Sequence, residues 1–338
     1  MSGVARTGVA RTGVARIGVV CLNPALDVTH HVAAVDWAGV NRPDAVHVRP
    51  GGKGLNVART LHALGAEVLV LGLAGGSTGE AVTTGLAALA VPAAFTPVPG
   101  ETRRTFTVVD GRTGHTAAFN EPGPVVAAEA YAEFRDQYAA ALAGCAAVVL
   151  SGSLPPGLAP GSYAELTTMA AAAGVPVLLD AHGDALRLGA AAGPAIAKPN
   201  LAELEMFAGR PLSGKSGADR PAVAAAAREL RAAGAGAVVV SLGAEGLHAD
   251  TGDGCWEAAS PAVVAGNATG AGDAVTAGLA HGLALGRLWD ERLRHAVALG
   301  TATAMALVAG EFSPADYGRL LDATVVTPAT SDAHREAG

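Results

Sequence analysis

From Ile17 onward, short apolar runs alternate with longer Ala/Leu-rich segments, and this alternation limits the folds open to the chain. Apolar runs of about four to six residues between helical segments are typical of buried parallel strands. The pattern predicts a doubly wound α/β fold, with helices flanking a mostly parallel sheet. The predicted strands are 17–22, 68–73, 147–150, 175–180, 195–198 and 237–241, and the predicted helices are 54–64, 78–90, 127–143, 161–173, 220–233, 270–285 and 289–308.

Two β-rich stretches, 28–49 and 103–120, interrupt this alternation, and the second carries an Asp-Gly turn signal typical of a hairpin. We expect them to form a small β-sheet lid over the main domain, since lids commonly close over substrates and exclude water. The alternative is that they are peripheral strands of the main sheet. The main domain is expected to span 17–325, between a disordered extension at 1–16, where Gly-Val-Ala-Arg repeats, and a flexible tail at 326–338.

Charge and composition argue against several classes of partner. The net charge of −7 comes without basic clusters, which argues against nucleic acid or an anionic membrane as the main partner. We find no apolar run of the roughly 18–20 residues that would span a bilayer. Cys21, Cys145 and Cys255 are odd in number and far apart, which indicates a reducing compartment rather than a disulfide framework. The expected protein is a cytoplasmic enzyme.

The segment 267–276 carries the strongest chemical signal. Gly270, Ala271 and Gly272 open a predicted helix, where free backbone N–H groups and the helix dipole favour an anion. Asp273 follows in the first turn, and its carboxylate would repel a phosphate rather than bind it. It is suited to accept a hydroxyl proton while the amides stabilise a transferring phosphoryl group. The alternative is a plain helix start with an acidic residue in its first turn.

A glycine-rich segment before the first predicted helix is a second candidate for ligand binding. Gly51 and Gly52 allow the backbone to approach a ligand closely, and Lys53 and Asn56 supply donors at the helix start. Asp27, just after the first predicted strand, is suited to hold sugar hydroxyls. The alternatives are a tight turn at the glycines and an ordinary surface turn at Asp27.

Two further segments follow predicted strands, at the edge where ligands bind in open α/β sheets. Ser153 lies in 151–157, where hydroxyls can reach a substrate. Asn200 and Glu203 share a face at a helix start, and such an oxygen-rich pair suits Mg²⁺, which keeps most of its waters. The alternative is a capping box, with Asn200 at the N-cap and Glu203 three residues on; both interpretations can hold together.

Residues 209–216 match the Walker A pattern, but their context argues against a P-loop. That motif needs a buried strand before it and a helix immediately after it. Here the preceding residues 201–208 look helical and polar, and the next helix starts only after Asp219. We therefore interpret the match as coincidental.

Taken in order, these segments resemble the ribokinase-like (PfkB) carbohydrate kinases from about residue 17 to 321. The opening motif and the serine-containing loop are similar to the hexose-phosphate branch, which includes 1-phosphofructokinase, tagatose-6-phosphate kinase and the minor 6-phosphofructokinase. The resemblance implies ATP and Mg²⁺, a sugar phosphate as substrate and a homodimer formed through the lid. The motifs that carry it are Asn-Pro-Ala-Leu-Asp at 23–27, Pro-Gly-Gly-Lys-Gly at 50–54, Gly-Ser-Leu-Pro-Pro-Gly at 152–157, Lys-Pro-Asn at 198–200 and Gly-Ala-Gly-Asp at 270–273.

The resemblance also implies roles for individual residues. Asp273 would be the catalytic base, with the anion hole at Gly270, Ala271 and Gly272. An arginine fork matches the geometry of the substrate's phosphate, which would be held by Arg103 with help from Ser153 and Arg42. The sugar would be held by Asp27, Gly51, Gly52, Lys53 and Asn56. Asn200 and Glu203 would order Mg²⁺ through water, and the nucleotide would contact Lys198, Asn200, Ser241, Gly243, Gly246 and Thr269.

The sequence departs from the family at 180–183, at 267–269, at Val40, where some relatives carry a lysine, and at 307–309. These departures leave the acceptor open. Fructose 1-phosphate is favoured by 23–27 and Lys53, against fructose 6-phosphate and tagatose 6-phosphate. Two other functions are a kinase of an unphosphorylated sugar or nucleoside and a catalytically silent sugar-binding regulator. The cations Arg103 and Arg42 argue against the first, since they would face a neutral sugar unpaired.

Overall fold

The computed structural model describes residues 16–214, 217–261, 269–306 and 310–329. Its strands are β1 (Ile17–Cys21), β2 (Ala25–Val32), β3 (Ala45–Gly51), β4 (Val68–Ala74), β5 (Ala93–Pro97), β6 (Arg103–Asp110), β7 (Thr116–Asn120), β8 (Ala147–Ser151), β9 (Val177–Asp180), β10 (Ile196–Ala197), β11 (Ser213–Gly214), β12 (Gly217–Ala218), β13 (Val238–Ser241), β14 (Leu247–Thr251), β15 (Gly254–Ala259) and β16 (Val325–Pro328). Its helices are α1 (Lys53–Ala63), α2 (Gly76–Ala88), α3 (Ala128–Leu142), α4 (Ser162–Ala172), α5 (Gly183–Ala191), α6 (Leu201–Ala208), α7 (Arg220–Ala232), α8 (Ala271–Ala284), α9 (Trp289–Met305) and α10 (Pro314–Ala323), with a 3₁₀ turn at Gly243–Glu245.

The central sheet of the described chain runs in the order β16-β15-β14-β13-β10-β9-β8-β1-β4-β5. The strands from β13 to β5 pair in parallel. The strands from β13 to β16 pair antiparallel. All six strands predicted from the apolar runs lie in the parallel part, so the mostly parallel, doubly wound fold is confirmed.

Helices bury both faces of this sheet, which is why its central strands are apolar throughout. In β1, Val20 packs into one core, which holds Phe134 and Tyr138 of α3. Its neighbours Ile17 and Val19 pack into the second core, formed mainly with α1, α2, α8 and α9. In the part of the chain that the structure describes, no helix is long and apolar enough to cross a membrane.

The two β-rich stretches form a separate four-stranded sheet in the order β3-β2-β6-β7, which we call the lid. β2 pairs with β6 in parallel, and β2–β3 and β6–β7 are antiparallel. The predicted turn follows β6, where the carboxylate of Asp110 accepts the backbone N–H groups of Arg112 and Thr113. A separate small sheet is therefore confirmed, rather than an extension of the main one.

The sheet continues past the predicted end of the main domain. β16 pairs with β15, with Val326 opposite Ala258, so residues 326–328 form an edge strand rather than the start of a flexible tail. Valines at this position fit an edge strand, whose ladder is made on one side only. The predicted extension at 1–15 and the tail from 330 onward lie outside the described residues.

The Walker-like segment does not have the context of a P-loop. It follows helix α6, which ends at Gly209 in the left-handed conformation (φ 65°), and it contains β11, which pairs antiparallel with β12. A helix before the motif and a short strand near its end agree with the interpretation that the match is coincidental. Lys215 and Ser216 themselves lie outside the described residues.

Candidate active site

The first turn of α8 lies between two cavities. Ala271 and Gly272 line a cavity of about 370 Å³, which we call cavity A; other residues lining it are Asn200, Ser241, Gly243 and Gly246. Asp273 lines a wider cavity of about 890 Å³, cavity B, together with Asp27, Gly52, Lys53, Asn56 and Arg103. One helix end thus contributes backbone amides to one cavity and a carboxylate to the other.

The start of α8 is built to leave its amides available. Gly270 at the N-cap has φ 86°, a left-handed conformation that glycine adopts without strain. Within the described residues, no side chain caps this helix. The N–H groups of a first helical turn and the positive end of the helix dipole make the turn suitable for an anion.

Asp273 is buried, with 7 % of its surface exposed, and its Oδ2 accepts a hydrogen bond of 2.9 Å from Asn56 Nδ2. Burial first, and the negative charge of Asp180 second, raise the pKa of Asp273 to about 7. A carboxylate with a pKa near neutral pH is well matched to general base catalysis.

Asp180, at the end of β9, is the centre of a buried charge cluster beside Asp273. Its Oδ2 lies 3.3 Å from Lys198 Nζ and accepts a 2.7 Å hydrogen bond from the Thr276 hydroxyl. Its Oδ1 lies 3.4 Å from Lys53 Nζ. Burial alone would raise the pKa of Asp180, but Lys198 and then Lys53 lower it overall. Sequence analysis placed Asp180 at the end of the predicted strand 175–180 and gave it no role in the site; its signal was an acidic residue at the end of an apolar run.

Asp27 is fixed by the lid. It stands opposite Arg49 in the β2–β3 ladder. Burial raises the pKa of Asp27, and the charge of Arg49 opposes that rise. A Cβ on Gly51 would lie 2.0 Å from the Asp27 carboxyl carbon, so this position requires glycine. Gly51 therefore makes room for Asp27, while Asp27 itself lines cavity B.

Two buried amide oxygens indicate the kind of ligand that cavity B would accept. Asn23 Oδ1 and Asn56 Oδ1 have no hydrogen-bond partner in the described structure, and both residues line cavity B. Buried acceptors are nearly always paired, so a ligand with several hydroxyl groups fits. Asn23 Nδ2 is held by Ser153 Oγ and by the Pro122 carbonyl, each at 3.1 Å.

Arg103 begins β6 and brings a guanidinium group to cavity B. Its Nε donates to the Asn23 carbonyl at 3.1 Å, and its Nη1 lies 3.5 Å from Thr105 Oγ1. These contacts fix the plane of the guanidinium, which suits recognition of a phosphate.

Four predicted ligands lie elsewhere than expected, and the first is Gly51, which does not line cavity B. Arg42 is exposed in the β2–β3 connection and does not line cavity B. Lys198 is buried against Asp180 and does not line cavity A, so its charge compensates Asp180 instead of facing a nucleotide. Thr269, which was expected to contact the nucleotide, lines cavity B.

Asn200 and Glu203 form the capping box that was the alternative to a metal site. Asn200 Oδ1 accepts from the Glu203 amide at 2.8 Å, and Glu203 Oε2 accepts from the Asn200 amide at 2.9 Å. Glu203 Oε1 accepts from Lys53 Nζ at 3.1 Å. The described residues contain no group of three or more His, Cys, Asp or Glu that could hold a metal directly. Asn200 Oδ1 and both carboxylate oxygens of Glu203 thus each accept a hydrogen bond within the protein.

Comparison with known proteins agrees with this arrangement. The sequence model described as "pfkB family carbohydrate kinase" matches residues 19–312. The chain is 39 % identical over 301 residues to a 1-phosphofructokinase of Rhodobacter capsulatus, covering 87 % of this chain and 90 % of that protein.

Solved structures are similar over nearly the whole chain. The phosphofructokinase-2 of Escherichia coli, solved with potassium, superposes with a TM-score of 0.85 at 30 % identity, covering 91 % of this chain and 98 % of that one. A Thermotoga maritima protein described as a possible 1-phosphofructokinase superposes with a TM-score of 0.82 at 25 % identity, covering 93 % of this chain and 100 % of that one.

Proposed function

This chain belongs to the pfkB family of carbohydrate kinases, and we propose that it transfers the γ-phosphoryl group of ATP to fructose 1-phosphate. The observation that carries the proposal is the first turn of α8, in which Ala271 and Gly272 line one cavity and Asp273 lines the other. Phosphoryl transfer needs two groups close together. A base must accept the proton of the acceptor hydroxyl, and hydrogen-bond donors must stabilise the negative charge of the phosphoryl group.

In this mechanism the sugar occupies cavity B and the nucleotide occupies cavity A. Asp273 accepts the proton of the attacking hydroxyl, and Asn56 orients its carboxylate. The amides at Ala271 and Gly272 stabilise the transferring group. Mg²⁺, held through water by Asn200 and Glu203, would neutralise negative charge on the phosphates.

The phosphate of the acceptor would bind Arg103. A cation at this point in cavity B favours a phosphorylated sugar over a neutral one, which would leave the guanidinium without a counter-charge. Between the hexose phosphates, the 39 % identity to a 1-phosphofructokinase favours fructose 1-phosphate over fructose 6-phosphate and tagatose 6-phosphate.

A coupled assay with ATP and Mg²⁺ tests the acceptor directly. We expect the highest kcat/KM for fructose 1-phosphate when it is compared with fructose 6-phosphate, tagatose 6-phosphate and free fructose. A higher value for either 6-phosphate would assign the enzyme to that substrate, and a higher value for free fructose would contradict the phosphate site at Arg103.

The base is tested by Asp273→Asn, which removes the proton acceptor and keeps the shape of the side chain. We expect kcat to fall by about 10²- to 10⁴-fold, while ATP binding persists. The matched control is Asp184→Asn, because Asp184 also lines cavity B but pairs with Arg187 at the surface. Similar losses in both variants would contradict a specific role for Asp273.

We also propose that the lid joins two copies of the chain. A cross-strand row on the lid face opposite Asp27 consists of Val48, Val28, Phe106 and Phe119. Val48 and Phe119, at the two ends of this row, are each 57 % exposed, so the row offers apolar side chains to a partner. A second copy of the lid would cover this row.

A further inference from the structure

The turn that lines one wall of cavity A is held from outside by a single arginine. Gly243, Ala244 and Gly246 line the cavity, and Glu245 lies between them. Arg220, at the start of α7, donates from Nη2 to the backbone carbonyl of Glu245 at 3.0 Å. The same Nη2 lies 3.4 Å from Glu245 Oε2. The arginine therefore contacts both the main chain and the side chain of the turn.

The other end of the guanidinium is anchored in the sheet. Arg220 Nη1 donates to Glu257 Oε2 at 2.5 Å. Glu257 Oε1 is 2.7 Å from Nδ1 of His248, which is only 2 % exposed and lies opposite Glu257 in the β14–β15 ladder. Because Glu257 is paired with His248 of the buried strand β14, the arginine ties the turn to the main sheet.

Glu245 also holds β12, the strand that pairs with β11 directly after the segment that resembles a P-loop. Its Oε1 accepts the Ala218 amide at 3.0 Å, and a Cβ on Gly217 would lie 2.5 Å from the same oxygen. At the other end of this hairpin, Glu205 Oε1 accepts from the Leu212 amide and the Ser213 hydroxyl, both at 2.8 Å. The hairpin thus packs between α6 and the turn as a support.

We propose that Arg220 is a positioning residue for nucleotide binding, because it holds the turn at 243–246 in the conformation that shapes cavity A. This inference rests on the proposed function, in which cavity A takes ATP. A lone exposed ion pair contributes little, but this guanidinium joins a main-chain carbonyl to two carboxylates. Without it, Glu245 and Glu257 would be left as uncompensated charges near a polyanionic ligand, and the turn would lose its tie to the sheet.

The test compares Arg220→Gln with Arg210→Gln. Arg210 makes a matched control, because it is also half-exposed and pairs with Glu229 at 2.7 Å, on contacts separate from the turn. We expect Arg220→Gln to raise both the Kd for ATP, measured without sugar, and the KM for ATP by about three- to tenfold. The KM for the sugar phosphate should stay within about twofold. Arg220→Lys should be intermediate, because an ammonium is a point donor and cannot bridge two anchors.

Two failures are distinguishable. If the wild-type protein does not bind ATP, the assignment of cavity A fails. If it binds ATP and the Kd of Arg220→Gln stays within about twofold of that of Arg210→Gln, the positioning role is wrong. Should Arg220→Gln not fold, as judged by circular dichroism, Glu245→Gln removes one anchor only and gives the same test. It should weaken ATP binding by less than Arg220→Gln, and an unchanged Kd would contradict the inference.

Discussion

At the scale of single residues, the proposed role of Asp273 as the base predicts a reaction that depends on pH. Burial, and then Asp180, raise this pKa to about 7, against the opposing contributions of Asn56, Lys53 and Lys198. Only the deprotonated base can accept a proton, so kcat/KM for the sugar phosphate should fall as pH drops through about 7 and level off above it. A profile measured from about pH 5.5 to 8.5 checks this, and a flat one would contradict the base assignment.

A substrate phosphate can titrate in the same range, and Asp180→Asn separates the two causes. The variant removes a negative charge beside Asp273 and leaves the cations Lys53 and Lys198 without that partner. Both changes favour the ionised base, so the acidic limb of kcat/KM should move to lower pH. If the acidic part of the pH profile does not move in this variant, the titrating group is the substrate phosphate rather than Asp273.

Arg103 is expected to discriminate phosphorylated from free sugars. Hydrogen bonds to charged groups contribute about 1.5–3 kcal/mol, so Arg103→Gln should raise the KM for the sugar phosphate by roughly 10- to 100-fold. The KM for free fructose should change little. Arg104→Gln is the matched control, since the neighbouring side chain pairs with Glu121 at 3.1 Å. Equal effects of Arg103→Gln on both sugars would contradict a phosphate site there.

At the scale of elements, Asn200 caps helix α6 and is also proposed to order Mg²⁺. The two roles can be separated by substitution. Asn200→Ala removes the capping box and should lower the free energy of unfolding by about 1 kcal/mol in denaturant titrations. Asp219→Ala removes the N-cap of α7 and should lower stability similarly. If Asn200 also orders Mg²⁺, only Asn200→Ala should raise the Mg²⁺ concentration needed for half-maximal activity. Equal Mg²⁺ dependence in both variants would leave Asn200 with capping alone.

Elements could be predicted where burial leaves a simple pattern. The central strands are buried on both faces and read as continuous apolar runs, whereas β14 places the buried polar residues His248 and Asp250 between apolar ones. That strand was not predicted, because its polar groups are compensated by Glu257 and Arg231, partners distant in sequence. The neighbouring strands β15 and β16 were missed as well, and so were β5, α5 and α10.

At the scale of the whole molecule, the site could be predicted where its residues end strands or begin helices. Asn56 and Asp273 lie in the first turns of two helices distant in sequence, and both reach cavity B, whereas Asp27 reaches it from within lid strand β2. Side chains whose direction depends on tertiary packing could not be placed in this way. Lys198 follows a strand end as expected, but the buried charge of Asp180 attracts its ammonium into the interior.

Assembly through the lid is the last property that the molecule as a whole should show. If a second copy covers the row from Val48 to Phe119, the protein should elute with about twice the mass of one 33.2 kDa chain in size-exclusion chromatography with light scattering. Phe119→Asp would bury a charge without a partner at that interface and should shift the protein to monomers. Val125→Asp is the matched control, because Val125 is 71 % exposed outside the lid and should leave the mass unchanged. A wild-type monomer at micromolar concentration, or a Phe119→Asp variant of unaltered mass, would contradict dimerisation through this face.

Because the lid also carries Asp27 and Arg103 into cavity B, loss of the dimer should raise the KM for the sugar phosphate more than that for ATP.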